Sequence, residues 1–276
     1  AQNAYGTYEA VVTDPKIDAV YIATPHSFHK SHTVLCLNNN KPVLCEKPFA
    51  MNLEEVNQMI ALAEQKKVLL MEALWTAFLP HFKFVENLIG KAQFGKIIRF
   101  EADFGFFPPY DESSRVFDKS VGGGSLLDIG IYPIFAALSF LGVPNDIKAK
   151  ANFFDSGADS ECEIVFQYDT HQAVLKSTLL AETPTEATLF CEHGTIKING
   201  RFHEPSTVTI TNGQGNSQRV SFDVTTNGYS YEIDHFNQLL RAGKTQSDVM
   251  TYERSRDLIK ALDTVRQRIG LNYKIN

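Results

Sequence analysis

The sequence has few of the features that mark several classes of protein. Its 276 residues include only four cysteines and no CxxC pair, so neither a disulfide framework nor a zinc ribbon is indicated. No apolar run approaches the ~18 residues of a membrane helix, and the first residues do not resemble a signal peptide. Acidic residues outnumber basic ones, and the net charge of −6 argues against a nucleic-acid surface or a polybasic membrane patch.

The rest of the composition is that of a globular protein. Hydrophobic residues make up 43% of the chain and charged residues 21%. A chain of this length forms one large domain or two ordinary ones, each able to bury a core. Widely spaced, unpaired cysteines are typical of a reducing compartment. We therefore expect a cytoplasmic protein with no nucleic-acid or membrane partner.

A short apolar stretch that ends on charged residues is the most informative local feature. Pro42–Cys45 is typical of a buried strand, and Glu46, Lys47 and Pro48 follow it directly. In parallel α/β sheets the ligand crevice lies outside the carboxyl ends of the strands, so these side chains can face a substrate there. The alternative is a solvated strand end, because Lys and Glu are usually exposed.

The first third of the chain alternates strands and helices. Asn52 caps a predicted helix, with Glu55 three residues further on. Strand, helix, strand, helix, strand with short connections predicts a right-handed βαβ arrangement and a parallel sheet. The strands are predicted near 17–25, 42–45 and 68–73, and the first helix near 27–37.

The pattern changes after Trp75. Ile97–Phe107 alternates apolar and polar residues, which predicts a half-buried antiparallel strand. More strands follow at short intervals, and two helices close the chain. The predicted strands lie near 148–154, 161–168, 172–180, 187–191, 195–199, 207–211 and 219–224, and helices are predicted near 78–90, 122–142, 233–240 and 258–269.

A second informative stretch runs from Gly122 to Pro133. Asp128 and Tyr132 stand at i and i+4, which places both polar groups on one face of an otherwise apolar, buried helix. Pro133 cannot donate to the carbonyl of Ile129, so a kink or a helix start is expected here. Asp128 and Tyr132 are either site residues or a buried cap and a core tyrosine with satisfied hydrogen bonds.

Four segments occur in one order along the chain. They are Thr24-Pro25 with His29, Glu46-Lys47-Pro48, Glu72-Ala73-Leu74-Trp75-Thr76, and the glycine-rich stretch that ends at Tyr132. Together they resemble the glucose-fructose oxidoreductase / inositol dehydrogenase (GFO/IDH/MocA) family, and most of all its dihydrodiol dehydrogenase and aldose (xylose-type) dehydrogenase branch. Many other branches carry histidine where this chain has Tyr132. The resemblance covers the chain from about Tyr5 onward.

This resemblance implies a fold and an activity. The fold would be an incomplete Rossmann-type parallel sheet followed by an open, mostly antiparallel sheet domain with helices on one face (α/β + α+β). Residues 1–77 would form a partial dinucleotide-binding domain and 78–276 a substrate and dimerisation domain. The protein would be an NAD(P)-dependent dehydrogenase of CH–OH groups, with NADP favoured. Its substrate would be a ring-form sugar, polyol or trans-dihydrodiol, and its C-terminal sheet would form a homodimer or larger oligomer.

The resemblance also assigns residues. Lys47 and Tyr132 would be the catalytic pair, with Asp128 positioning substrate or Lys47, and the Lys47–Pro48 bond would be cis. An adjacent ammonium favours phenolate, so Lys47 is expected to lower the pKa of Tyr132. Cofactor-binding residues would be Thr24, Pro25, His29, Glu46, Lys47 and Pro48.

Two further side chains have open interpretations. Trp75, the only tryptophan, can stack on a sugar or carbocyclic ring, or belong to the core or to a domain interface. Arg115 can clamp a substrate hydroxyl or be solvated. A different hypothesis is a zinc site on one helix face, from the spacing of His26, His29, His32 and Cys36; we expect no metal.

The resemblance leaves one part of the family pattern without a counterpart. No GxGxxG phosphate loop occurs in the sequence. Roughly two βα units, on the order of 60 residues, would be needed to carry it. Either the gene product is longer than this chain or the chain is naturally truncated. The alternative function is accordingly a truncated, non-catalytic homologue that serves as a dimerisation or sugar-binding module.

Overall fold

The first part of the chain folds as the small parallel sheet that the sequence predicts. The computed structural model describes residues 3–111, 113–224 and 226–273. β1 (Val20–Ile22), β2 (Val43–Glu46) and β3 (Leu70–Ala73) lie side by side in that order, each parallel to the next. All of β3 is buried, as expected for a strand covered on both faces.

Helices connect these strands. In α3 (Leu53–Lys66) the predicted cap is present: Asn52 Oδ1 accepts a hydrogen bond of 2.8 Å from the Glu55 amide. A six-residue helix near the start, α1 (Tyr8–Thr13), was not predicted, because only Val12 in it is buried and it has no apolar periodicity. The remaining helix of this part is α2 (His29–Asn38).

The second sheet has eight strands, in the order β11-β10-β9-β8-β4-β7-β6-β5. The prediction that residues 97–107 form an antiparallel strand is only half correct. β4 (Ile97–Gly105) pairs antiparallel with β8 and parallel with β7. The chain leaves β4 through a long helical connection, which is what a parallel pairing requires. The other strands are β5 (Asp146–Phe153), β6 (Asp159–Gln167), β7 (Gln172–Thr178), β8 (Ala187–Cys191), β9 (Gly194–Ile198), β10 (Val208–Asn212) and β11 (Ser217–Val220).

The helices α4 (Pro80–Gly90), α5 (Ile131–Leu141) and α7 (Tyr252–Ile269) pack against strands of this sheet. Helix α6 (Tyr229–Arg241) packs mainly against the 3₁₀ turn Trp75–Phe78 that follows β3. A π-helical turn, Leu126–Gly130, leads directly into α5, where the sequence predicts a kink or helix start before Pro133. Wide turns of this kind occur often at functional sites.

The expectation that no apolar stretch reaches the length of a membrane helix is wrong for the segment that contains α5. Lys119–Leu141 spans 23 residues and is long and apolar enough to cross a membrane by composition. In the folded protein, however, 83% of its apolar window is buried. The segment therefore has the surroundings of a core helix.

Helix α7 contacts one helix of each part of the protein, α3 beside the small sheet and α5 beside the large sheet. Its Asp263 accepts a hydrogen bond of 2.9 Å from the Leu53 amide at the start of α3. Its Arg254 donates to Ser139 Oγ of α5 over 2.8 Å. The C-terminal helix thus links the small parallel sheet to the helix that carries Tyr132.

The turn before Leu126 depends on a glycine. Gly124 has φ +122°, and a Cβ atom there would lie 2.1 Å from Asp159 Oδ1. Asp159 is fully buried, and its other oxygen accepts hydrogen bonds of 2.7 Å from Ser125 Oγ and from the Leu126 amide. This carboxyl group therefore caps the segment that holds Asp128.

We expect Gly124→Ala to destabilise the protein by more than ~1 kcal/mol, because the new methyl group meets a buried carboxyl and the backbone is unfavourable for L-residues. Urea denaturation measures this change. Gly90→Ala is the control, since a Cβ atom at Gly90 meets nothing within 4 Å. Equal stability of the two variants would show that Asp159 moves aside freely.

Candidate active site

A cavity of about 330 Å³ lies outside the carboxyl ends of β1 and β2. This is where parallel α/β sheets bind ligands. Most of the residues singled out in the sequence meet here. His26, which the sequence analysis names only as a candidate zinc ligand, and Tyr229, which it does not name, join them. The lining consists of Ala23, Thr24, Pro25, His26, His29, Glu46, Lys47, Arg115, Asp128, Tyr132 and Tyr229.

Lys47 occupies the centre of the site. Its Nζ donates a hydrogen bond of 2.7 Å to the main-chain carbonyl of Asp128 and lies 3.5 Å from Asp128 Oδ1. The same nitrogen is 5.1 Å from the centre of the Tyr132 ring. The Lys47–Pro48 bond is cis, as the resemblance implies. The strand end is therefore not solvated: the side chain of Lys47 is only 15% exposed and is held against Asp128.

Asp128, in the π-helical turn, is surrounded by basic groups. Arg115 Nη1 lies 3.1 Å from its Oδ1, and His26 Nε2 lies 4.0 Å from the same atom. Burial by itself would raise the pKa of Asp128, but the charge of Lys47, followed by that of Arg115, outweighs it and brings the pKa to about 2. Burial and the nearby Lys47 lower the pKa of His26 to about 3, so this imidazole is neutral at pH 7.

Tyr132 does not behave as the sequence analysis expects. Its pKa is raised well above the ordinary value, first by burial and then by the negative charge of Glu46 and the neighbouring Tyr229. The expectation that Lys47 lowers this pKa is wrong for the free protein, because the ammonium sits by the ring and is bonded to Asp128. Tyr132 is therefore a phenol, and a proton donor, at neutral pH.

The residues expected on the cofactor side lie on adjoining strand ends. His29 is fully buried, with Nδ1 2.8 Å from the Pro48 carbonyl oxygen and Nε2 2.8 Å from the Thr24 carbonyl oxygen. It ties the end of β1 to the end of β2. Glu46 accepts hydrogen bonds from the Tyr21 hydroxyl and, over 3.2 Å, from the Lys47 amide. Pro25 lines the cavity, whereas Pro48 contributes through its carbonyl group.

Of the two predicted substrate residues, Arg115 lines the cavity and Trp75 does not. Arg115 is half exposed but paired with Asp128. It is therefore neither fully solvated nor free to clamp a substrate hydroxyl with its whole guanidinium group. Trp75 is 7% exposed and stacks on Tyr229, with 4.3 Å between ring centres. It therefore supports the cavity wall from behind. No sequence motif marks Tyr229, which comes from the far end of the chain.

The geometry does not favour the zinc hypothesis. Within residues 3–111, 113–224 and 226–273, no three His, Cys, Asp or Glu side chains are grouped as metal ligands. The histidines have other partners: His26 Nδ1 is 3.1 Å from the Gly122 carbonyl oxygen, and His32 Nδ1 is 3.1 Å from Thr24 Oγ1. All four cysteines are free.

The cavity fits one end of a nicotinamide cofactor. Its volume of about 330 Å³ is at the lower end of the range of small-molecule sites. Thr24 and Pro25 form one wall at the strand end, and Glu46 and Lys47 supply hydrogen-bonding groups. The sequence contains no GxGxxG loop, so the fit is to the nicotinamide end, and a phosphate cradle of that type is not part of it.

Comparison with solved structures shows the same fold. An aldose-aldose oxidoreductase from Caulobacter crescentus, complexed with glycerol, superposes with a TM-score of 0.86 at 20% identity, over 96% of this chain and 81% of that one. A 3-ketoreductase from Actinomadura kijaniata, in complex with NADP and TDP-benzene, gives a TM-score of 0.84 at 26% identity, over 95% and 82% of the two chains.

Sequence comparison shows the family. Trans-1,2-dihydrobenzene-1,2-diol dehydrogenase of Xenopus tropicalis is 34% identical over 98% of this chain and 84% of that protein. The scyllo-inositol 2-dehydrogenase (NADP(+)) IolU of Bacillus subtilis is 34% identical over 99% and 84%. Residues 1–74 match the oxidoreductase family with an NAD-binding Rossmann fold, and residues 82–197 match the GFO/IDH/MocA C-terminal domain. The chain therefore belongs to the GFO/IDH/MocA family of NAD-binding oxidoreductases.

Proposed function

We propose that this protein is an NAD(P)-dependent dehydrogenase of a ring-form sugar, polyol or trans-dihydrodiol, with Lys47 and Tyr132 as its catalytic pair. The observation that supports it best is the position of Lys47 Nζ, 2.7 Å from the Asp128 carbonyl oxygen and 5.1 Å from the Tyr132 ring centre, at the carboxyl end of β2. Relatives named for a dihydrodiol, an inositol and D-xylose support the substrate class.

The residues divide the chemistry between them. Bound nicotinamide supplies or accepts the hydride. The Lys47 ammonium has three N–H donors: one bonds to the Asp128 carbonyl oxygen, and the ammonium lies 3.5 Å from Asp128 Oδ1 as an ion pair. A donor is therefore left for the reacting oxygen of the substrate. Tyr132, a phenol at neutral pH, can give its proton to a carbonyl oxygen during reduction. In alcohol oxidation it must first release that proton to solvent, and the phenolate then takes the proton of the substrate hydroxyl as the hydride leaves carbon. Asp128 holds Lys47 in place.

On the cofactor side, Thr24, Pro25, His29, Glu46, Lys47 and Pro48 would face the nicotinamide. We propose NADP over NAD, because two of the relatives are named as NADP(+) enzymes. Residues 1–77 would be the cofactor-binding part and 78–276 the substrate and dimerisation part. Arg115 would contact a substrate hydroxyl, and Trp75 would back the site.

We further propose a cytoplasmic homodimer formed through the large sheet. The face opposite the buried Leu175 exposes Val174 and a ladder of charges, in which Glu163 pairs with Lys150 at 2.7 Å and with Lys176 at 3.9 Å. A face of alternating charge with apolar residues between can match a second copy of itself. Analytical ultracentrifugation tests this, and a monomer at micromolar concentration would refute it.

The central experiment is a titration of NADPH and NADH into the protein, followed by turnover of scyllo-inositol, D-xylose and trans-1,2-dihydrobenzene-1,2-diol. We expect nicotinamide binding and oxidation of at least one substrate, measured by the absorbance of the reduced cofactor. If neither nucleotide binds, the enzyme hypothesis is wrong. The absence of GxGxxG would then favour a dimerisation or sugar-binding module.

A further inference from the structure

A buried histidine beside the catalytic pair has no assigned role. His203 lies in the loop between β9 and β10, and it is 5% exposed. Two hydrogen bonds fix this loop: Thr76 Oγ1 donates to the His203 carbonyl over 2.7 Å, and His81 Nε2 lies 2.9 Å from the Phe202 carbonyl oxygen. The His203 backbone is therefore held in one place by the segment that follows β3.

The imidazole of His203 is part of a cluster of aromatic rings at the site. Its ring centre lies 4.2 Å from that of Phe104, 4.9 Å from that of Tyr132 and 6.2 Å from that of Trp75. The cluster therefore reaches from the catalytic tyrosine to the tryptophan behind the cavity. Aromatic surfaces of this kind suit the apolar faces of a sugar or carbocyclic ring.

The polar atoms of this imidazole are left without partners. Nδ1 is buried, and neither ring nitrogen hydrogen-bonds to any residue that the structure describes. Burial lowers the pKa of His203 to about 3, and the charges of Arg201 and Lys47 act in the same direction, so the ring is neutral. A neutral imidazole offers one donor and one acceptor.

An unpaired buried polar group is costly, and most such groups in folded proteins have a partner. His81 also has an unpaired Nδ1, but its other nitrogen is bonded to the Phe202 carbonyl and fixes the loop. His203 has no such structural bond from its ring. His203 is not in the cavity lining, but its ring packs against Tyr132, which lines the cavity with Lys47. A substrate that extends past Tyr132 would bring the missing partner.

We infer that His203 is a specificity-determining residue that hydrogen-bonds a substrate hydroxyl other than the one being oxidised. This inference rests on the proposed dehydrogenase function and narrows its substrate class. Inositols and pentoses carry hydroxyls around the whole ring, whereas the trans-dihydrodiol has only two adjacent ones. His203 therefore favours polyhydroxylated rings over dihydrodiols, because only a polyhydroxylated ring has a further hydroxyl that can hydrogen-bond to the imidazole.

The test compares wild type with His203→Phe and His203→Gln. Steady-state kinetics are measured with scyllo-inositol, D-xylose and the trans-dihydrodiol. We expect His203→Phe to lower kcat/KM for the polyhydroxylated substrates by about 10- to 100-fold, mostly through KM, since one hydrogen bond is lost. The kcat/KM of His203→Phe for the dihydrodiol should change less than about threefold. His203→Gln, which retains a donor and an acceptor, should recover part of the loss.

Binding is measured separately from turnover. Trp75 is the only tryptophan and lies 6.2 Å from His203, so its fluorescence reports scyllo-inositol binding directly. An equal loss on all substrates, with unchanged inositol binding, would make His203 merely structural and overturn the inference. No loss, or a wild type that acts on the dihydrodiol alone, would also overturn it. A wild type that binds nucleotide but oxidises none of the three substrates would instead refute the proposed function, and the inference with it.

Discussion

Replacing Lys47 with methionine, or Tyr132 with phenylalanine, is expected to lower kcat/KM by about 10²- to 10⁴-fold, the usual contribution of a positioned acid or base. Methionine fills the space of the lysine but cannot hold the substrate oxygen or bond to the Asp128 carbonyl, which Lys47 contacts at 2.7 Å. Phenylalanine keeps the aromatic ring of Tyr132 but lacks the hydroxyl group that would transfer the proton. Steady-state assays on each variant, with nucleotide titration to show that the cofactor site is intact, measure the effect.

Two matched substitutions serve as controls. Tyr252→Phe removes the hydroxyl of another buried tyrosine, which donates a hydrogen bond of 2.9 Å to the Thr245 carbonyl. Tyr252 does not line the cavity. Lys41→Met removes a lysine that donates to the Asp14 and Ile17 carbonyls over 2.8 and 2.7 Å, outside the cavity lining. Both should keep near-normal turnover. If Lys47→Met or Tyr132→Phe did so too, the assignment of the catalytic pair would be refuted.

Asp128→Asn is expected to lower both stability and activity. The asparagine leaves the Lys47 ammonium buried without its counter-charge, and breaking a buried pair in this way costs about 3–5 kcal/mol. The half-exposed Arg115 adds less, because water screens its charge. The bond from Lys47 to the main-chain carbonyl of residue 128 remains, but the ammonium loses the carboxylate 3.5 Å away that helps to orient it, so kcat should fall. Urea denaturation and steady-state kinetics at pH 7 measure the two effects.

The effect of Asp128→Asn on stability should depend on pH. The folded pKa of about 2 lies below the ordinary 3.8, so the carboxylate stabilises the protein above pH 3.8. This contribution is lost as the pH falls towards 2, and the difference between wild type and variant should shrink. A difference that stays constant would contradict the pairing. Asp146→Asn, at an exposed pair with Arg268, is the control and should cost at most about 1 kcal/mol.

The sequence predicts the parts of the site that lie next to strand ends. Lys47 lines the cavity, as expected from the apolar run that stops just before it, because parallel strands end at the same edge. Thr24, which only the resemblance assigned, lines it too. Asp128 and Tyr132 were paired correctly by their spacing, although the turn between them is π-helical. In each case the sequence pattern and the site residue that it predicts lie in the same short segment of the chain.

The sequence does not predict what depends on packing between distant segments. Tyr229 joins the site from the first turn of α6, and His203 packs against Tyr132 from the loop between β9 and β10. No motif marks either residue, and only their three-dimensional neighbours distinguish them. The pKa of Tyr132 was predicted in the wrong direction, because burial and Glu46 outweigh the ammonium. The parallel pairing of β4 was also missed, since residue alternation does not specify the direction of a neighbouring strand.

Helix α7 helps to fix how the two residues of the proposed catalytic pair approach each other. Lys47 belongs to the small sheet and Tyr132 to α5, and α7 is hydrogen-bonded to both parts, through Asp263 and through Arg254. Hinge motion between the two parts would have to break these bonds or bend an 18-residue helix. The distance between the Lys47 ammonium and Tyr132 is thus constrained by α7 as well as by the bond from Lys47 to Asp128, and the geometry of the proposed pair is set before any substrate arrives.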